Sequence, residues 1–420
     1  MKIRLFIGCL LGVFLPTVSM AQLELQECRD LARQNYPSIQ QLDLLKRTEE
    51  FTLKNIAKGY LPQVSFSGKV SYQSDVTKLP IDIPGIDFGM EKDQYQAVLE
   101  VNQLIWDGGA LRNRKQTASA ERAVQRQEVE VGLYTLNDRV DELFFGVLLC
   151  DAKLEQNTLL KKQLELNLAQ VQACVNEGVA NQADLDAVRV EQLGAEQNER
   201  ELKAFRKTYA GILGWLIGRE QLADETFVRP EMPSVGTGEN LRPELKLYDL
   251  QRSCLEVQRK GLTVQYYPKL GLFAQGAYGD PGLNLLKGGF EFYYIAGIRL
   301  TWNFGNLYTL KNDRKLIDLN RRYVDVQQET FLLNNRMEKE QYNRQVEKLR
   351  DLMVNDEELI RLRENIRRSA EAKMRNGTLT VTEMLREVIA ESQARQTKVL
   401  HEIELLQALY DLQCVTNDKL

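Results

Sequence analysis

Histidine occurs once in the 420 residues, as His401, and the six cysteines form no C-x-x-C pair. P-loop, H-E-x-x-H and G-x-S-x-G spacings are also missing, so the constellations that carry phosphate, zinc or nucleophilic-serine chemistry are not there. This argues against an enzyme and against a metal or cofactor site. A basic excess is lacking too. The 55 Lys+Arg face 59 Asp+Glu, for a formal net charge of −4, whereas a nucleic-acid surface normally shows a surplus of cations. Past the first residues no apolar run reaches the ~20 residues that a helical membrane span needs.

What is present begins with an export signal. Lys2 and Arg4 precede an apolar stretch from Leu5 to Leu15, and Ser19 and Ala21 put small residues where cleavage after Ala21 requires them. Residues 1–21 are expected to be removed, since the alternative, an uncleaved anchor, has too short an apolar run. Cys28 follows Leu25-Gln26-Glu27 rather than the small residues that lipidation would want. Without Cys9, the mature cysteines Cys28, Cys150, Cys174, Cys254 and Cys414 are odd in number and scattered, which predicts buried free thiols rather than a disulfide framework. A chain exported without a helical span is either soluble in the periplasm or crosses a membrane as β-strands.

The chain is written twice. Pro37 and Pro62 recur at one common offset as Pro243 and Pro268. Trp106-Asp107-Gly108-Gly109 recurs as Trp302-Asn303-Phe304-Gly305, and Asn176-Glu177-Gly178 with Asp184-Leu185 recurs as Arg375-Asn376-Gly377 with Glu383-Met384. The division expected is repeat 1 over 22–217, a linker over 218–240 and repeat 2 over 241–420. Each repeat reads as helix, strand, loop, strand, very long helix, turn and long helix. The first helix is expected over 25–59 and its copy over 243–264, each stopped by proline.

The strands alternate with period two. Val64, Phe66, Val70 and Tyr72 oppose Ser65, Ser67, Lys69, Ser71 and Gln73. Tyr95, Ala97, Leu99, Val101 and Ile105 oppose Gln96, Glu100 and Asn102. Phe292, Tyr294, Ala296, Ile298, Leu300 and Trp302 oppose Glu291, Arg299, Thr301 and Asn303. Strands of this length can cross a bilayer at a tilt, with lipid on one face and water on the other, although alternation alone also suits a half-buried strand of a soluble sheet. Leu79 to Gly85 reads as one loop tip, and Asp280-Pro281-Gly282 and Gly288-Gly289 bracket the other.

Two proline-free stretches, 111–176 and 307–375, predict helices on the order of 100 Å long. Leu133, Leu136, Val140, Leu143, Val147, Cys150 and Leu154 step by three and four, a coiled-coil seam, and Leu352, Leu359 and Ile366 are its expected counterpart. Two strands per repeat make four per chain, too few to close a barrel, and open edges have no backbone partners in lipid. Closure therefore needs several copies: two give eight strands, three give twelve and a lumen.

Gly59-Tyr60-Leu61-Pro62-Gln63, Leu104-Ile105-Trp106-Asp107-Gly108-Gly109, and Gly178 followed by Asp184-Leu185 resemble the repeat signatures of the outer membrane efflux protein (TolC) family over about residues 25–415. The resemblance implies a mainly α fold with a small β part, in which a long-helix coiled-coil barrel is joined to a transmembrane β-barrel of four strands per chain and twelve in a homotrimer. It implies a duct of a multi-component efflux or type I secretion system in the outer membrane of a Gram-negative bacterium, lying mostly in the periplasm and conducting passively. The partners implied are outer-membrane lipid, a periplasmic adaptor (membrane fusion) protein and an inner-membrane pump of RND or ABC type; no nucleic acid is implied. A periplasmic coiled-coil scaffold without pore activity is the alternative.

The site residues follow from the same plan. Gly178, Val179, Gly377 and Thr378 mark the two helical turns expected at the periplasmic tip and its adaptor contact, with Val179–Ala183 and Thr378–Thr382 starting the return helices. Each glycine can end a helix in the left-handed conformation. Asp184 and Glu383 sit in the next first turn, where a carboxylate suits the helix dipole. By resemblance, a lock falls on Met374 and Leu379 and an acidic ring on Glu383 and Arg386, with Asp184 in the other repeat. Asp184, Glu383 and Arg386 are the candidate pore gate, although Met374, Leu379 and Arg386 depart from the family's polar or acidic pattern. Trp106 and Trp302, where strands become helices, are candidate membrane-interface aromatics, or packing within the joint.

Overall fold

A computed structural model describes residues 22–77, 91–222, 224–233, 239–284 and 287–417. The expected signal peptide and the first loop tip at 79–85 lie outside the described residues. In chain order the elements are β1 (Gln22–Leu23), α1 (Leu25–Asn35), α2 (Gln40–Ala57), β2 (Gln63–Tyr72), β3 (Asp93–Trp106), α3 (Ala110–Asn176), α4 (Gln182–Ile217), β4 (Thr226–Phe227), α5 (Pro243–Val264), β5 (Lys269–Asp280), β6 (Glu291–Thr301), α6 (Leu307–Arg375) and α7 (Val381–Thr416). The fold is mainly helical with a small β part. The chain divides into two units, one drawn from 37–132 and 241–336, the other from 1–36, 133–240 and 337–420.

The first unit holds one antiparallel sheet in the order β2-β3-β5-β6. Its register sets Phe66 beside Leu99, Leu99 beside Gly276, and Gly276 beside Tyr294. Helices flank one another in the same order as the strands. Arg126 of α3 pairs with Glu49 of α2, Asn113 Nδ2 of α3 donates to the Val257 carbonyl of α5 at 3.1 Å, and Arg252 of α5 reaches Asp325 of α6 at 3.2 Å. The Trp-Asp-Gly-Gly signature has a local cause. Asp107 Oδ1 accepts from Gly109 N at 2.9 Å and Oδ2 from Leu111 N at 2.7 Å, which satisfies the first free amides of α3. Gly108 has φ +71°, and a Cβ there would lie 2.4 Å from Tyr267 Cβ. In the second copy Asn303 Oδ1 accepts from Gly305 N at 2.9 Å.

The expected single helix over 25–59 is two helices. Tyr36 turns extended (ψ 126°) ahead of Pro37, because proline disfavours the α conformation in the residue before it and brings no amide of its own.

In the second unit α1 and β1 complete a core made with α3, α4 and α7. Leu23, Cys28 and Ala32 are fully buried against Val140, Phe144, Val147, Leu213 and Leu406, and β1 pairs with β4 in parallel. Arg29 Nε donates to Asp141 Oδ1 at 2.7 Å in the same core. Asn35 Nδ2 donates to the carbonyls of Trp215 and Leu216 at the end of α4, and Gly218 turns left-handed beyond them.

The α3 seam from Leu133 to Cys150 is buried as its spacing requires. Its expected counterpart is not: Leu352, Leu359 and Ile366 are all exposed. The inward row of α6 is Val346, Leu349, Met353, Asp356, Ile360, Arg363, Arg367, Ala370 and Met374, buried or half-buried at steps of three and four. Three of those positions are charged and are paired across to α7. His401 Nδ1 lies 2.8 Å from Asp356 Oδ2, Arg363 reaches Glu387, and Arg367 reaches Glu391. A hydropathy pattern passes over such a row because its charges find partners on another helix, out of sight along one chain.

Candidate functional site

The sheet has two unlike faces. One carries Val64, Phe66 and Val70 of β2; Tyr95, Leu99 and Val101 of β3; Leu272 and Tyr278 of β5; and Phe292, Tyr294, Ile298 and Leu300 of β6, held together by the register. Between the strand ends that face has no charged residue. Phe66 is 74% exposed and Tyr294 76%, so in a single chain a large apolar wall meets solvent. Exposed patches of this size mark a membrane or a partner. The opposite face carries Ser65, Ser67, Lys69, Gln96, Glu100, Gln275, Tyr293 and Arg299. Strands β2 and β6 are the edges and have no neighbour on their outer sides among the described residues.

Trp106 and Trp302 both stand at the base of the sheet, half-exposed. Trp106 follows a break in the β3–β5 register and lies 6.3 Å from the Tyr267 ring. Trp302 Nε1 donates to the Tyr266 carbonyl at 2.9 Å, and its ring lies 4.8 Å from Phe304. Packing in the joint and a partly exposed ring coincide at both positions.

The other unit brings the two helical turns together. Both are built alike. Val179 N donates to the Cys174 carbonyl and Gly178 N to the Val175 carbonyl; Thr378 N donates to the Lys373 carbonyl and Gly377 N to the Met374 carbonyl. This paired closure satisfies the last carbonyls of a helix and needs a left-handed residue, and Gly178 and Gly377 have φ +76° and +69°. Three residues on, a second device starts the return helix. Asn181 accepts from Asp184 N while Asp184 accepts from Asn181 N; Thr380 and Glu383 do the same. The return helices therefore begin at Gln182 and Val381, later than expected, with 179–181 and 378–380 forming turn and cap. Val179 and Thr378 are exposed, and the Val179 side chain packs beside Gly377, 3.7 Å from where a Cβ would stand.

Asp184 and Glu383 border the hollow between the turns, together with Cys174, Met374 and Thr380. Hydrogen bonds from the Thr380 hydroxyl and amide hold the Glu383 carboxyl below its ordinary range, with a smaller contribution from nearby Arg386, which is itself exposed. The positions matched to the lock are inward: Met374 is buried in the hydrophobic cluster at this end and Leu379 packs on it. In this chain they are core. The five mature cysteines are free and buried, and burial pushes the Cys28 and Cys414 thiols up to about 12, so neither of these two is a ready nucleophile.

Sequence reading missed the charged contacts made across elements. Arg299, Glu100 and Asn102 are linked on the polar sheet face, and Arg29 and Asp141 are linked in the core. The alternation placed Arg299 and Glu100 on polar faces, but only the strand order brings those faces together.

Among the described residues no helix is long and apolar enough to cross a membrane, and no group of side chains could hold a metal ion. A search of curated protein sequences finds no match. In solved structures the chain is similar to the outer membrane protein VceC of Vibrio cholerae, with 13% identity, TM-score 0.70, and 94% of this chain and 96% of that one covered. It is also similar to the CmeC outer membrane channel of Campylobacter jejuni (14%, TM-score 0.65, 94% and 85%). The open-state MtrE outer membrane channel of Neisseria gonorrhoeae is alike to a similar degree (14%, TM-score 0.65, 93% and 88%). These are likenesses of fold. Residues 28–214 match the model of the outer membrane efflux protein family, so this stretch resembles that family's domain, and the fold over the described residues is similar to that of the outer membrane channels above.

Proposed function

We infer that this chain is one subunit of an outer-membrane duct that conducts solutes passively to the outside as part of a multi-component efflux system, with most of its helical part in the periplasm. The observation that carries this reading is the sheet: an apolar face free of charge between the strand ends, and two edges without partners. Backbone groups at such edges cannot stay unpaired in hydrocarbon. In the β2-β3-β5-β6 order a further antiparallel pairing of β6 on one copy with β2 on the next closes the ring. Three copies give twelve strands and a lumen, so we propose a homotrimer. The helices support the same closure. Exposed Leu316, Leu319, Tyr323, Val326 and Leu333 run down α6, two residues (about 200°) around from Asp318, Arg321 and Asp325, which face α5. On α2 exposed Leu44 and Phe51 lie away from the α3-facing Glu49 in the same sense. A ring of copies covers both flanks.

On this reading 22–217 and 241–420 are the two repeats, 218–240 links them, and cleavage after Ala21 frees Gln22. Trp106 and Trp302 lie at the inner interface of outer-membrane lipid. The turns at Gly178, Val179, Gly377 and Thr378 meet a periplasmic adaptor, which couples the duct to an inner-membrane pump of RND or ABC type. Asp184, Glu383 and Arg386 line the mouth between the turns. The chain performs no catalysis, and the energy for transport comes from the pump.

The test is fractionation followed by reconstitution of the full chain. The expected result is recovery with outer membranes, extraction only by detergent, a three-copy mass by native mass spectrometry, and steps of conductance in a planar bilayer. A soluble monomer released with the periplasm, silent in the bilayer, would mean a scaffold instead.

A further inference from the structure

On the polar face of the sheet the charged residues within the strands are Lys69 of β2, Glu100 of β3, Lys269 of β5, and Arg299 and Glu291 of β6, with Lys269 the first residue of its strand. Glu291, at the end of its strand, is neutralised by Lys287. Arg299 reaches across two strands. Its guanidinium lies over the Phe273 ring of β5, 4.6 Å from the centroid, and donates to Glu100 Oε1 and Asn102 Oδ1 of β3, each at 3.3 Å. Above it Gln96 Nε2 donates to Tyr293 Oη at 2.6 Å. A cation over an aromatic face is held by the ring quadrupole. The long side chain is thus laid flat along the wall, leaving the space in front of it clear while its charge stays at the surface. Between the strand ends, with Lys269 and the paired Glu291 set aside, Lys69 and Arg299 against Glu100 leave one net positive charge per chain.

We propose that Arg299, strapped over Phe273 to Glu100, forms a positive collar on the inner wall of the barrel, with Lys69 further along the same wall, that favours passage of anionic solutes. The inference rests on the duct reading, because only a closed ring turns this face into a wall around water. Rings of charged side chains set ion preference in pores, lumen-facing substitutions in barrels tune selectivity, and low-dielectric walls focus the field of such charges.

The experiment measures reversal potential in planar bilayers under a potassium chloride gradient, using the full-length protein and three variants. Arg299→Gln is expected to abolish the anion preference, and Glu100→Gln to raise it by roughly twofold, after screening over a Debye length. The Arg299→Gln/Glu100→Gln double variant, with net charge unchanged, is expected to return to the wild-type value. Channels that conduct with reversal potentials unmoved in both single variants overturn the collar and leave the duct intact, whereas a wild type that neither assembles nor conducts takes away the duct itself.

A second measurement needs no current. Arg299→Cys and its strand neighbour Leu300→Cys are exposed, in intact outer membranes, to a charged membrane-impermeant thiol reagent. The native mature cysteines are buried, so the background is quiet. Labelling at 299 and protection at 300 until detergent strips the lipid supports the proposal; the reverse pattern overturns it.

Discussion

Asp411 is the residue through which the second unit should respond to pH. It stands on α7 near Asp141, Asp138 and Glu142. Burial first, and these carboxylates second, raise its carboxyl from 3.8 to about 7, against the smaller pull of Arg29. A carboxyl that holds its proton more tightly when folded stabilises the fold at low pH. That contribution is complete below the unfolded value and is lost as pH rises through the folded one, so the window runs from about pH 4 to pH 7. A difference of about three pH units is worth about 4 kcal/mol at most, and relaxation around a half-buried group should leave on the order of half of that. Asp411→Asn keeps the shape and removes the charge. At pH 8 the variant should be more stable than the parent by about 2 kcal/mol, or about 2–4 °C in melting midpoint for a chain of this size. At pH 4.5 the two should nearly coincide. The assay is thermal unfolding of the detergent-solubilised protein, followed by circular dichroism across that range. A variant destabilised at pH 8, or one that keeps the parent's slope between pH 4.5 and 8, would refute the reasoning.

Arg29→Met should cost about 3–5 kcal/mol by leaving Asp141 charged in the core, while Arg29→Met with Asp141→Leu should recover most of the loss; denaturant titration of the single and double variants checks the cycle. Gly377→Ala should destabilise by about 1–2 kcal/mol through its left-handed backbone alone, since the space around a new Cβ allows ordinary contact, and faster proteolytic clipping at this turn is the measurement. Phe66→Lys places a charge at the middle of the uncharged sheet face, at a cost of up to about 2–4 kcal/mol in mid-bilayer. The variant should fail to appear in outer-membrane fractions, and normal assembly would contradict the assignment of that face.

The features legible in the sequence were those with a period. Alternation found the faces of β2, β3 and β6, and steps of three and four found the α3 seam, because burial there is matched by hydrophobicity. On α6 the same rule led to Leu352, Leu359 and Ile366, the outward stripe, since the inward row contains Asp356, Arg363 and Arg367. Pairing across helices, invisible along one chain, makes those charges tolerable inside. The turn signatures were present as Asn181 with Asp184 and Thr380 with Glu383, three apart as in a capping box. Their acids, expected both in the first helical turn and at a gate, close their own helices and also border the hollow between the turns. Pro37 was visible as well, but its power to split the first helix was underrated beside the favourable sequence on either side.

The charged row between α6 and α7 also limits how that pair can move. Shifting one helix along the other by a single turn, about 5.4 Å, would carry Arg367 away from Glu391 and Asp356 away from His401, leaving Arg367 only Glu371 and Glu391 only Arg395, each on its own helix. Rotation about the long axis, or splaying from one end, keeps each couple within reach for longer. On the duct reading, widening at this level should therefore favour untwisting over axial slippage, which the pairs between α6 and α7 oppose.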